Sequence, residues 1–270
     1  MSLVLPAIGV LAACGAPTSA GILPASPAPS SGTPVSAGVP QASASRAAAS
    51  PVASTSAAAA AAAGSCSLSP EQEVGPYYLA NQQIRKDVTE GRPGVPLQLH
   101  LTLLNAGGCS ALPNAAVDIW HADATGNYSG FSNAGGSGTF LRGTQLTDGN
   151  GLAEFSTIYP GWYPGRAIHI HVRVHTGGST GPTYSGGHIA HTGQLFPPED
   201  MNDQVMKLAP YSSHTGNRTI QSRDGVFTGQ HGSDFVLKLT PLKQGDIAAG
   251  FLATATLVVD PNPAPAPVGV

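Results

Sequence analysis

Residues 168–175 run Ile168-His-Ile-His-Val-Arg-Val-His175, a strict alternation of aliphatic with imidazole or basic side chains. A period of two suits a strand and no helix, because successive side chains of a strand leave on opposite faces. Ile168, Ile170, Val172 and Val174 then point into a core, while His169, His171, Arg173 and His175 share the other, wet face. Same-face neighbours lie roughly 6.5–7 Å apart, so two imidazoles can converge on one metal ion. An H-x-H pair equally fits a merely polar strand face, and further ligands must decide between the two. The same alternation recurs in Val95-Pro-Leu-Gln-Leu-His-Leu-Thr-Leu103, with Leu97, Leu99, Leu101 and Leu103 on one side. Short strands are expected at Val117–Trp120, 139–147, Leu152–Ile158, Phe235–Leu239 and Phe251–Val259, with Asp148-Gly-Asn-Gly151 as a turn. Helical spacing is weak, amounting to a turn or two over Glu199–Leu208. Short strands with frequent turns predict an all-β fold, an antiparallel β-sandwich with long loops.

The pattern begins only beyond Cys66. Residues 1–65 carry one charged side chain, Arg46, and residues 16–65 are almost wholly Ala, Ser, Pro, Gly, Thr and Val, ending in Ala57–Ala63 and Gly64-Ser65. Such a segment has too little large apolar surface to offset its conformational entropy and reads as a flexible stalk. Before it, the apolar stretch Leu3–Ala13 has the length of a signal-peptide core, although no Lys or Arg precedes it. Its end, Leu11-Ala-Ala-Cys14, resembles the bacterial lipoprotein box. That implies lipidation of Cys14, export to the cell surface or periplasm, and attachment to the membrane through the lipid; the alternative is an ordinary cleaved signal ending near Ala20. The expected organisation is a leader at 1–14, a stalk at 15–65, a β-sandwich at 66–260 and a Pro-rich tail at 261–270. No apolar run reaches 18 residues, so no spanning helix is expected. The other 11 basic and all 15 acidic residues lie beyond the stalk, leaving four net negative charges and no basic stripe for nucleic acid. With Cys14 lipidated, Cys66 and Cys109 remain as an even pair, expected to form a disulfide in an oxidising compartment; the alternative is two buried free thiols.

Two segments carry the chemistry: Val117-Asp-Ile-Trp-His-Ala-Asp-Ala-Thr-Gly-Asn-Tyr-Ser-Gly130, and Thr157-Ile-Tyr-Pro-Gly-Trp-Tyr-Pro-Gly-Arg166 running into His169-Ile-His171. Together with Pro70-Glu-Gln-Glu-Val-Gly-Pro-Tyr-Tyr78 they resemble the intradiol ring-cleavage dioxygenases, the catechol and protocatechuate 3,4-dioxygenase family, from residue 70 to about Leu239. The resemblance implies Tyr128, Tyr163, His169 and His171 as iron ligands, with Tyr163 the one that leaves when substrate binds. It implies Arg166 as the arginine beside the reacting ring, and Gln194, in His191-Thr-Gly-Gln194, as the residue that orients it. Three departures stand out: Glu73-Val74-Gly75 in place of the usual E-G-P spacing, a Gly-rich insertion at Gly177–Gly187, and no helical dimerisation region of the catechol-enzyme type. Oligomeric state stays open.

The ligand set itself constrains the ion. A free tyrosine loses its proton near pH 10, so phenolate ligation at neutral pH needs a strongly Lewis-acidic cation. Fe(III) satisfies this; Zn(II) is expected with Cys, His and carboxylate instead. The rival is a two-His, one-carboxylate Fe(II) site using Asp118 or Asp123. Tyr159 competes with Tyr163 as the second phenol, and the P-x-x-Y spacing from Pro160 favours Tyr163. His188, His191, His214 and His231 read as loop residues in solvent, and His121 has no assigned role. The implied activity is Fe(III)- and O₂-dependent cleavage of a catechol-type diol to a muconate-type dicarboxylate. A reading from another class is a non-catalytic surface module binding carbohydrate or protein and retaining the metal motif.

Overall fold

The computed structural model describes residues 66–80, 83–132 and 136–263. The leader, the stalk, Cys14 and the end of the Pro-rich tail lie outside the described residues. The alternating segments form strands: β1 (Pro96–Asn105), β2 (Ser110–Ala111), β3 (Ala116–Trp120), β4 (Arg142–Leu146), β5 (Leu152–Ile158), β6 (Ile170–Thr180), β7 (Tyr184–Leu195), β8 (Lys238–Pro241) and β9 (Phe251–Val259). They make two sheets. One runs β2-β1-β9-β8, with β5 also paired to β1; the other runs β4-β3-β6-β7. β1 and β9 pair in parallel, and the other strand pairs are antiparallel.

The inward sides match the alternation. Leu97, Leu99, Leu101 and Leu103 of β1 are at most 1% exposed and share one core with Val117, Ile119, Ile170, Val172 and Val174 of the second sheet. Burying each such side chain contributes about 1.5–3 kcal/mol, so this inter-sheet layer is the main source of stability. Helix is confined among the described residues to short pieces, including α1 (Glu199–Val205) and α2 (Gly225–Gly229). Cys66 and Cys109 are joined by a disulfide that ties the start of the described chain to the β1–β2 turn.

Several elements differ from the sequence reading. The strand expected at 235–239 starts at Lys238, because Gly232–Phe235 coils into a 3-10 turn that drives Phe235 into the core. The strand expected at 139–147 is shortened to Arg142–Leu146. The Gly-rich insertion simply lengthens the β6–β7 hairpin, where the backbone N–H of Gly178 donates to the Tyr184 hydroxyl. The outer face of β6 is not wet: His169, His171, Arg173 and His175 are all buried. Residues 70–80 cover it, with the Gln72 side chain accepting from the Gln194 backbone N–H and Tyr78 lying over the Arg173 guanidinium. His191 is likewise no solvated loop residue. It sits in β7, buried, with Nδ1 2.9 Å from Glu71 Oε1. His188 is also in β7, bonded to Thr176 and the Pro261 carbonyl, and His214 stacks on Trp162; His231 is exposed, as read.

Candidate metal centre

The covered outer face of the second sheet ends where β3 stops and β6 begins, and two loops fold back over it there. The first follows β3. Asp123 Oδ1 accepts from the backbone N–H groups of Thr125 and Asn127 at 2.9 and 3.0 Å, curling the chain so that Tyr128 returns to the sheet. Gly126, at φ +86°, makes this possible, since a Cβ there would meet the Trp162 carbonyl at 2.2 Å. The second loop follows β5 and delivers Tyr163 and Arg166. Gly161 packs so tightly on the first loop that a Cβ would lie 2.2 Å from the Asp123 carbonyl. Backbone against backbone, the loops hold each other's aromatic rings in place.

Four side chains converge. The hydroxyls of Tyr128 and Tyr163 each lie 3.5 Å from His169 Nε2, and His171 Nε2 is 3.0 Å from the same atom. His169 Nδ1 donates to the Ala167 carbonyl at 2.7 Å, which leaves the Nε2 lone pair facing the cluster. Packing sets His171. Its ring stacks flat on Trp120 (4.7 Å, 3°), and Gly75, at φ +70°, approaches so closely that a Cβ would sit 3.0 Å from its Cε1. Tyr77 stacks on Tyr128 with ring centroids 4.3 Å apart and meets Tyr163 edge-on.

Electrostatically the cluster suits a cation. Burial, reinforced by Arg166, pushes His169 down to about 3, and burial with His169 and Arg166 drives His171 well below its usual range, so both imidazoles are neutral donors. Burial raises Tyr163 to about 12 and lifts Tyr128 well above its usual range, so neither phenol ionises at neutral pH unless a positive ion displaces its proton. Two oxygens and two nitrogens, all buried except the part-exposed Tyr163, meet at one point and fit Fe(III) in donor type and charge.

Arg166 stands beside this cluster, gripped by three acceptors: Asp224 Oδ2 at 2.9 Å from Nε, Glu73 Oε1 at 3.2 Å from Nη1 and Gln194 Oε1 at 2.5 Å from Nη2. Gln194 in turn donates to the Glu73 carbonyl, so its contact is with the arginine. Glu73, Tyr77 and Trp120 lie in segments already singled out, though without a role assigned to them, but nothing in the sequence pointed to Asp224 as a neighbour of the site. The carboxylate alternatives are not assembled. Among the described residues no three His, Cys, Asp or Glu side chains are grouped to hold a metal. Asp118 lies behind the centre, opposite Arg173 in the β3–β6 pairing and raised to about 8 by burial, while Asp123 is spent on its own loop. Tyr159 is also elsewhere, donating to Asn202 Oδ1 inside the core. His121 bonds the Ala122 carbonyl and Thr157 Oγ1 and supports the loop from within.

The comparisons agree with this arrangement. Residues 73–177, which include all four converging side chains and Arg166, match the protein-family model described as Dioxygenase. Catechol 1,2-dioxygenase of Acinetobacter baylyi is 38% identical over 101 residues, 35% of this chain and 32% of that protein, so the match spans about a third of its length. The dioxygenase domain of a dioxygenase carbohydrate-binding protein fusion from Streptomyces sp. SirexAA-E superposes with a TM-score of 0.51 at 25% identity, over 72% of this chain and 99% of that one. An intradiol ring-cleavage dioxygenase from Tetranychus urticae superposes with a TM-score of 0.65 at 32% identity, over 74% of this chain and 98% of that one. Fold, motif order and near-complete coverage of that relative establish that the chain belongs to the intradiol ring-cleavage dioxygenase family.

Proposed function

We propose that the protein is a non-haem Fe(III) dioxygenase that cleaves a catechol-type diol between its two hydroxylated carbons. Both atoms of O₂ enter the product, a muconate-type dicarboxylate. The observation that carries this reading is the meeting of Tyr128, Tyr163 and His171 around His169 Nε2, at 3.5, 3.5 and 3.0 Å. Tyr128, Tyr163, His169 and His171 would hold the iron. Bound ferric iron supplies Lewis acidity and an electron-accepting path that makes an electron-rich diol reactive toward O₂.

The chain's own groups divide the remaining work. Tyr128, fully buried beneath Tyr77, has no room to move and stays in place. Tyr163, part-exposed, can turn out and accept a proton from the incoming diol as general base. Arg166 is fixed by Asp224, Glu73 and Gln194 before any substrate arrives, so its charge faces the reacting ring without reorganisation. Trp120, Tyr77 and Phe131 keep water from the inner side of the site. Export and a lipid anchor on Cys14 complete the proposal, and place this chemistry outside the cytoplasm.

Ferric loading of the purified chain followed by visible spectroscopy and an O₂-uptake assay with catechol tests it. A strong tyrosinate-to-iron absorption and stoichiometric O₂ consumption with dicarboxylate formation are expected. A chain that takes up iron without that colour, or has colour but turns over none of catechol, protocatechuate or hydroxyquinol, refutes the reading and favours a binding module.

A further inference from the structure

Asp224 lies far along the chain from the metal cluster and belongs to none of its motifs, yet its side chain has no exposed surface. Its two oxygens serve different ends. Oδ1 accepts from the backbone N–H groups of Val226 and Phe227 at 2.8 and 2.9 Å, which starts α2. Oδ2 accepts from Arg166 Nε at 2.9 Å and from the Ala167 backbone N–H at 2.6 Å. The second of these bonds reaches further, because the carbonyl of the same Ala167 accepts from His169 Nδ1. Ala167 is therefore pinned at its N–H by Asp224 and orients the imidazole through its C=O.

We propose that Asp224 is a positioning residue that sets the poses of Arg166 and His169 together, holding the guanidinium and the imidazole in one fixed relation across the site. The role deepens the ferric reading above and rests on it. Capping α2 needs only Oδ1, which a serine hydroxyl can replace; the bonds of Oδ2 do nothing for that helix. Burial opposes ionisation of this carboxyl, but Arg166 and the backbone donors outweigh it and hold it below the usual range, so the acceptor is a full carboxylate. Charge-assisted bonds of this kind are the strong and directional ones.

Two variants of the full chain separate the roles. Asp224→Ser keeps a cap but cannot reach Arg166 and Ala167. Asp224→Asn keeps the size and turns an amide toward two N–H donors. Ferric affinity by chelator competition is expected to fall about 10–100-fold in both, the range typical when a partner of a metal-bound histidine is lost. The position of the charge-transfer absorption should also shift. In the metal-free protein, nitrogen-15 spectra should show His169 as a single Nδ1–H tautomer in the wild type and as a mixture in the variants. Variants that lower the melting temperature but keep the wild-type tautomer, affinity and absorption overturn the proposal. So does failure of both to fold, since the serine variant retains the cap. If the wild type binds no ferric iron, the metal reading fails by itself, and the tautomer in the metal-free protein still decides whether Asp224 positions His169.

Discussion

Replacing Tyr128 and Tyr163 separately by Phe is the most searching perturbation, because metal-free protein should barely respond while metal-loaded protein should respond strongly and differently to each. In the metal-free chain each hydroxyl lies 3.5 Å from His169 Nε2, beyond good hydrogen-bond distance, and the Tyr128 ring is held by stacking on Tyr77. Deleting either oxygen therefore removes at most about 1 kcal/mol of folding stability, a shift of roughly 2–4 °C for a domain of this size. Bound metal changes the arithmetic. A ligand at a hundred times its Kd stabilises by about 2.7 kcal/mol, so ferric iron should raise the wild-type Tm by on the order of 5–10 °C. Tyr128→Phe loses a donor that has no room to leave. If affinity falls about a hundredfold, the stabilisation at the same iron concentration shrinks to roughly 0.4 kcal/mol, and the iron-induced shift nearly vanishes with the colour. Tyr163→Phe loses the part-exposed donor; iron and most of the colour should remain, while turnover drops roughly 10²–10⁴-fold for want of a base. Thermal scans with and without ferric iron, iron content per chain and turnover decide the matter. A Tyr128→Phe protein with the wild-type iron-induced shift refutes its assignment, and Tyr163→Phe with wild-type turnover refutes the base.

Three further outcomes are expected. His121 and His175 are pushed down to about 4, mainly by burial. Above pH 6.5 they are neutral folded or unfolded, but between pH 6.5 and about 4 only the unfolded chain takes up their protons. Stability should then fall as pH falls, by on the order of 3 kcal/mol per histidine across the window. Burial of Asp118 acts in the opposite direction over the same range, so urea unfolding of metal-free wild type is compared at pH 7 and 4.5 with His121→Gln and His175→Gln; variants that lose as much stability on acidification as the wild type contradict the burial of these rings. Replacing Cys66 and Cys109 by Ser opens a loop spanning a sequence separation of 43; it should cost about 4 kcal/mol by chain entropy, read as a lower urea midpoint, and linked peptides should be seen by mass spectrometry of unreduced wild type. Cys14→Ser should move the protein from the membrane fraction to the soluble one with ring cleavage intact; wild-type protein found wholly soluble removes the lipid anchor from the account.

What was legible in the chain was local. Alternation in 97–103 and 168–175 assigns each side chain to a face, because a strand's period of two is a property of its own backbone, and the core of β1 and β6 follows from it. The family resemblance carried by the motifs named Tyr128, Tyr163, His169, His171 and Arg166, whose meeting needs only β3, β6 and the loops that follow β3 and β5. What lies against a face is a different kind of fact. The polar side of β6 reads as solvent-facing by composition, yet residues 70–80 arrive from before β1 and bury it. His191 reads as a loop histidine, yet lies buried in β7 with Glu71 as partner. Tyr159 and Tyr163 have similar local surroundings, but α1 supplies Asn202 to the first and the metal cluster receives the second. Asp224 carries no motif at all and comes to Arg166 only because the chain beyond β7 folds back under the site. Direction along a strand is decided by covalent geometry, residue by residue. Burial, partner and charge state depend on segments distant in the chain, and those meet only when the sandwich closes.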